Sequence, residues 1–564
     1  MKTADSFKYF FRKYPFFRVG TILVSILAVL LVISFITYKS RKIPVIASVT
    51  PPIGSPGDIM IIYGENFGSV RTTSDYVEVG GSRITASGYI LWQDNQIKIV
   101  LPSNVQDGLV IVATKAGKSK PGFFANEAGI PVEVPPDTKT TLPVITNASP
   151  SSQSIGKLVT ITGTNFGTIR GGGKVYFSAG FKEQNPGQNS GEEESFVACS
   201  DDNFDFEYWS DSEIHVRVPE GAVSGHVYVQ TEKGKSNFFP AEVKFSAGKK
   251  TYSSKKTYLI HLGTDIMDSG SKQNTAVTLR VPYPPVFAGQ SAVRLTECNP
   301  EPAFEHYQNT IIHQSLLPKT GDRVKRFEHS FVVEVYSLAS SVNSKNVRPF
   351  SEKNRILYKN FTASDSLIKS DDEEIIQFAK KIIKKETNPY MQAKLIYDYM
   401  IDNLKIAEKL RKNGADPKDL LKKEKGDAYD FAVMYTTLLR AVEIPAVPLG
   451  GILVDSEMQN KNHWWCEFYI ENFGWFPVDV ALGAGLEYKS FRPVENPKEF
   501  YFGNLDSQHI AFSRGFNELK PSIANSNVVY RDRTYALQSI WEESSDGNVN
   551  YSSLWNNPVV EGIY

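Results

Sequence analysis

Lys425 to Ala446 reads KGDAYDFAVMYTTLLRAVEIPA, and two later segments complete a pattern: NHWWCEFY, which contains His463, and GWFPVD, which ends at Asp479. Ala428 precedes His463 by 35 residues, and His463 precedes Asp479 by 16. Where a histidine and a carboxylate meet in a nucleophilic site, the histidine moves a proton and the acid fixes its tautomer. The neighbours of Ala428 offer no obvious attacking group. At about 100° per residue on a helix, Asp427 and Tyr429 point away from the direction of Ala428. Cys466 stands three residues after His463, so strand alternation turns its thiol to the opposite face, where a buried structural role is expected.

Taken together, Gly426-x-x-x-Asp430-Phe431-Ala432, Leu439-Arg440-Ala441, Ile444-Pro445-Ala446, His463-x-Trp465-x-Glu467 and Gly474-Trp475-x-Pro477-Val478-Asp479 closely resemble the transglutaminase-like core, a papain-related fold. The resemblance implies a central helix opened by a Cys, followed by two strands that carry a His and an Asp. It assigns Ala428 to the nucleophile position and His463 and Asp479 to the other two. Trp465 and Trp475 are expected in the core or as a cleft wall, and Gly474 at a turn. The similarity extends through Tyr501-Phe502-Gly503-Asn504-Leu505-Asp506, a loop typical of bacterial members, and Ile510-Ala511-Phe512.

Acyl transfer requires a nucleophile that forms an acyl-enzyme. A Cys at a helix N-terminus suits the task because N–H dipoles and a nearby imidazolium lower its pKa. A methyl group cannot substitute. Removing the nucleophile from a serine-protease-type triad leaves only about 10³–10⁴ over water. His463 and Asp479 are therefore expected either to satisfy one another as a buried pair or to serve a remaining ligand site.

The 564 residues suffice for three or four domains. A hydrophobic content of 41% and an aromatic content of 12% describe ordinary globular protein. Lys plus Arg equals Asp plus Glu, 62 each, which argues against general nucleic-acid binding. The three cysteines, Cys199, Cys298 and Cys466, are far apart and offer neither a disulfide framework nor a zinc spacing. No cofactor and no metal are expected, with only calcium on loop carboxylates left open.

Val19 to Tyr38 is 20 residues without a charge, about 30 Å as a helix, enough to cross a bilayer. Five cations precede it (Lys2, Lys8, Arg12, Lys13, Arg18) and three follow (Lys39, Arg41, Lys42), so residues 1–18 are expected in the cytoplasm and the bulk outside. The alternative is a cleaved signal peptide with Val45-Ile46-Ala47 at the processing site. Against it, the apolar run exceeds an ordinary signal core and Arg41-Lys42 intervene.

Further along, Pro51 followed by Gly64-x-Asn66-Phe67-Gly68 recurs as Pro150 followed by Gly163-x-Asn165-Phe166-Gly167, a shift of 99 residues. Between these anchors lie short β-rich runs such as MIIYG, LVIVAT, LVTITG and HVYVQT. The pattern resembles two IPT/TIG domains, immunoglobulin-like sandwiches, at 44–126 and 143–246, joined by a Pro-rich linker at 127–142. The second copy is longer by a polar insertion placed in Phe181 to Asp202. GxNFG lacks the Lys-Ser/Thr of a phosphate loop and is expected to form a turn.

The expected fold class is thus multidomain: an N-terminal transmembrane helix, two all-β sandwiches, a further β-rich domain at 250–365, an α+β papain-like core at 366–516, and a C-terminal extension at 517–564 packed on the core. The leading functional reading is a membrane-anchored extracytoplasmic pseudoenzyme of a bacterial cell envelope, binding a protein, peptide or peptidoglycan-derived ligand. Two alternatives stand beside it: a hydrolase in which His463 and Asp479 activate water, and an adhesion protein that binds through its sandwiches.

Overall fold

The alternation that marks the first sandwich, Met60 and Ile62 against Ile97 and Ile99, buries one face of each strand, and these residues form one apolar core with Val77, Val110 and Phe124. In the computed structural model the described residues are 13, 26–29, 43–102, 105–126, 142–181, 194–268, 275–317, 324–522, 526–544 and 551–564. The expected span Val19 to Tyr38 lies, apart from 26–29, outside them, as does the linker before residue 142. Among the described residues no helix is long and apolar enough to cross a membrane. The chain divides into two compact units, one built on residues up to Ile130 and one holding nearly all the rest.

Both repeats build the same sandwich. In the first, Val45–Thr50, Ile59–Glu65, Gln96–Val100 and Tyr89–Trp92 form one sheet, and Gly108–Thr114 centres the other. In the second, Val144–Ser149, Leu158–Thr164, Glu213–Arg217 and Phe206–Trp209 repeat that order, with Ala222–Thr231 central to the facing sheet. The GxNFG segments form turns, with Asn66 at φ 64° and Asn165 at φ 63°. Phe181 is described, but most of the expected insertion is outside the described residues.

The β-rich domain is a second kind of sandwich. One sheet runs Ala292–Asn299, Val324–Val342, Gly248–Asp268, Tyr551–Trp555; the other runs Phe304–Tyr307, Thr310–Leu317, Thr275–Pro282, Glu542–Ser544, Asn527–Val529. The C-terminal extension packs on the core through Tyr535, Ala536 and Leu537, and does more than that. Its strands complete both sheets of this domain, because their free backbone edges find partners there, while the loop at 531–538 reaches the core.

In the core, Asp372 caps the helix Glu373–Ile383, and Asn388 caps Pro389–Asn403. The central helix Ala428–Ala441 is buried at all but its last residue. It packs beside an antiparallel sheet ordered Gly474–Val478, Asn460–Ile470, Ala446–Val454, His509–Arg514.

Candidate functional site

Ala428 is the first residue of the central helix, 5% exposed, and Asp427 is its N-cap. The cap is reciprocal: Asp430 N–H donates to Asp427 Oδ1 at 3.1 Å, and Asp427 N–H donates to Asp430 Oδ2 at 3.0 Å. Two buried carboxylates at a helix start are favoured by the dipole but need counter-charge. Arg411 supplies it, its Nε and Nη2 each donating to Asp430 at 2.6 Å while its backbone N–H donates to Asp427 Oδ2 at 2.6 Å. Arg533, from the C-terminal extension, donates from Nη2 to Asp430 Oδ1 at 2.8 Å and lies 4.5 Å over the Tyr429 ring. Burial pushes Asp430 above the usual carboxylate range, against the pull of the guanidinium groups. The end of the helix that would stabilise a thiolate is thus occupied by an Asp/Arg cage.

His463 and Asp479 are both fully buried and bonded, Nε2 to Oδ2, at 2.6 Å. A histidine that the sequence reading missed joins them: His509 Nε2 lies 3.1 Å from Asp479 Oδ2, and its Nδ1 lies 2.8 Å from Asp506 Oδ1. Asp479 Oδ1 accepts from Leu482 N–H at 2.8 Å, capping a short helix. Burial alone would lower His509, but Asp506 and Asp479 outweigh it and hold the imidazole up at about 9. Burial likewise opposes ionisation of Asp479, yet His463 and His509 carry it well below the usual range. His463 ends up lowered, because burial and the His509 charge outweigh Asp479. At neutral pH the cluster pairs a cationic His509 with an anionic Asp479 and leaves His463 neutral. The Nδ1 of His463 is buried with no hydrogen-bond partner among the described residues.

The strand places the remaining candidates by alternation. Trp465 shares the face of His463, their rings nearly parallel with centroids 6.2 Å apart, and meets His509 edge-on at 5.2 Å. Trp464 and Cys466 take the other face, Trp464 against Tyr429 and Cys466 Sγ against the Ala432 carbonyl at 3.2 Å. Burial raises the Cys466 thiol, so it is not poised as a thiolate. Neither tryptophan forms an open cleft wall. Trp465 is 1% exposed and Trp475 2%, and Trp475 is sealed against the second sandwich, its Nε1 donating to Asn203 Oδ1 at 3.0 Å and its N–H to Glu220 Oε2 at 3.0 Å. An accessible hollow of about 840 Å³ lies elsewhere, lined by Phe204, Phe206, Arg217, Phe350 and Arg355, between the second sandwich and the segment 350–356 that precedes the core.

The fold and this residue set define a chain with two TIG sandwiches followed by a transglutaminase-like domain. Comparison with known proteins agrees: residues 376–480 match the transglutaminase-like superfamily, and residues 44–126 and 143–247 match the IPT/TIG domain. An uncharacterised protein of Haemophilus influenzae is 28% identical over 171 residues, 25% of this chain and 46% of that protein. A cyclomaltodextrin glucanotransferase of Paenibacillus macerans is 42% identical over 59 residues, 10% of this chain and 8% of the enzyme. The chain thus spans less than half of these relatives. Among solved structures, one described as a candidate cysteine protease of Cytophaga hutchinsonii aligns at TM-score 0.37 and 16% identity, covering 56% of this chain and 92% of that one. The periplasmic domain of TgpA from Pseudomonas aeruginosa aligns at TM-score 0.23 and 12% identity, covering 39% and 87%.

Proposed function

We propose that this chain is a membrane-anchored, extracytoplasmic binding or scaffold protein of a bacterial cell envelope, whose transglutaminase-like domain no longer carries out acyl transfer. One observation carries the reading: Ala428 opens the central helix, and no thiol or hydroxyl among the described residues hydrogen-bonds the free Nδ1 of His463. With no attacking atom, no acyl-enzyme forms. The pair is also buried, so recognition falls to accessible surfaces, and the hollow between the second sandwich and the segment 350–356 suits a peptide or a peptidoglycan-derived fragment. The membrane assignment rests on the apolar run Val19 to Tyr38 and its flanking cations.

The test is amide hydrolysis and acyl transfer by the full-length protein in detergent, beside His463→Ala, with binding of peptides and peptidoglycan fragments measured in parallel. Saturable binding without turnover is expected. Turnover that resists thiol reagents and disappears in His463→Ala would defeat the proposal and favour water activation by His463 and Asp479.

A further inference from the structure

Three groups with metal-ligating atoms converge inside the β-rich domain, remote in function from the His463 cluster. Cys298 lies on Ala292–Asn299 and faces His329 on Val324–Val342 directly across the ladder of one sheet. His313 arrives from the opposite sheet, on Thr310–Leu317. The two imidazole Nε2 atoms are 2.7 Å apart, the Cys298 sulfur is 3.8 Å from His313 Nε2, and all three ligand atoms lie within 4.8 Å of one another. His313 is 1% exposed and His329 fully buried, whereas Cys298 is only partly buried and marks the side open to solvent. No carboxylate bonds either imidazole among the described contacts, and Phe327 packs against His313 at 5.0 Å.

We propose that Cys298, His313 and His329 form a site for a zinc-class divalent cation, with a fourth position toward solvent. The donor set decides the class: thiolate and imidazole suit zinc and its soft or borderline neighbours, whereas magnesium and calcium take oxygen. Tetrahedral zinc, with bonds of about 2.3 Å to sulfur and about 2.0 Å to nitrogen, separates S from N by roughly 3.5 Å. The observed 3.8 Å is close to that, and the Nε2 atoms need only spread apart by about half an ångström to match tetrahedral angles. At 2.7 Å one Nε2–H donates to the other Nε2, so ligation by both needs each imidazole to carry its proton on Nδ1, and the Cys298 sulfur, its thiol held up at about 11 by burial, must bind as thiolate. Binding therefore releases the thiol proton to solvent as the metal–sulfur bond forms. The sequence hides the site because its ligands are 15 and 16 residues apart on three strands, with no pair at finger-type spacing.

The full-length protein, stripped with chelator and dialysed against zinc, is expected to retain one zinc per chain by elemental analysis. Cys298→Ala and His329→Ala should lose it, and His463→Ala should keep it, which separates this site from the His463, Asp479 and His509 group. Cobalt offers a readout on the unmutated chain: a thiolate-to-cobalt charge-transfer band in the near ultraviolet is expected. No retained zinc and no such band, or zinc lost in His463→Ala but kept in Cys298→Ala, overturns the proposal.

Discussion

His509 changes what the remaining histidine can do. A triad histidine gains from a carboxylate that stabilises its charged form, but Asp479 already faces a cationic partner and His463 stays neutral. Restoring the sulfur is therefore not enough: Ala428→Cys alone is expected to show turnover indistinguishable from the native chain in an amide-hydrolysis assay. His509→Gln should raise the His463 pKa, read by imidazole NMR, since the charge that opposes its protonation is gone. The same histidine sets a pH dependence. Its folded value of about 9 exceeds its unfolded 6.5, so its stabilisation is complete below pH 6.5 and lost as pH rises through 9. Asp479 runs the other way, contributing above pH 3.8 and losing its contribution in acid. Unfolding free energy measured by urea titration should fall between pH 6.5 and 9, and His509→Gln should flatten that slope. The His463–Asp479 spacing was legible because a family pattern fixes it. His509 was not, although it stands between Tyr501–Asp506 and Ile510–Phe512, because its bond to Asp479 spans 30 residues and no local spacing pairs the two.

Single elements show what a pattern conveys and what it omits. The start of the central helix was legible through the family resemblance, while the reciprocal cap of Asp427 and Asp430 emerged only in the structure. The guanidinium of Arg533 arrives from 103 residues beyond Asp430, which local spacing cannot reveal. Removing one partner of a buried ion pair costs about 3–5 kcal/mol. Arg533→Ala is expected to cost in that range by urea unfolding, with the loss moderated because Arg411 still holds Asp430. The lysine-rich stretch before the helix was expected as a solvated face and loop, yet besides Arg411 its Lys418 also bridges Asp372 and Glu374, both at 2.7 Å. In the sandwiches, GxNFG was read as a turn, yet its first glycine does something else. A Cβ on Gly163 would lie 2.0 Å from the Val144 carbonyl oxygen, and on Gly64 1.9 Å from that of Val45. Gly163→Ala is expected to destabilise by about 1–3 kcal/mol through forced backbone displacement, seen as a lower midpoint in thermal unfolding.

Across the whole molecule, the second sandwich is tied to its neighbours by polar groups. Trp475 N–H donates to Glu220, Lys157 bridges Glu352 and Glu471, and Lys250 of the β-rich domain bonds both Glu220 and the Trp475 carbonyl. Repetition and strand pattern revealed the sandwiches in the sequence; the attachment of the second was invisible because it depends on residues far apart in the chain, 255 positions for Glu220 and Trp475. The β-rich domain was legible only loosely for the same reason. Trp555 packs edge-on against Trp541 at 5.0 Å and donates to Glu542 Oε2 at 2.8 Å, joining the last strands to both sheets. Trp555→Ala is expected to cost about 3–5 kcal/mol, with amide exchange rising first in Gly248–Asp268 and Thr275–Pro282.

That closure imposes an order on biosynthesis. Asp268 emerges from the ribosome 283 residues before Tyr551, its neighbour in the finished ladder. At roughly 5–20 residues per second, the first strand waits about 15–60 s for the one that pairs with its outer edge. During that interval the backbone groups of that edge lack this partner, whereas both sandwiches have all their strands as soon as they appear.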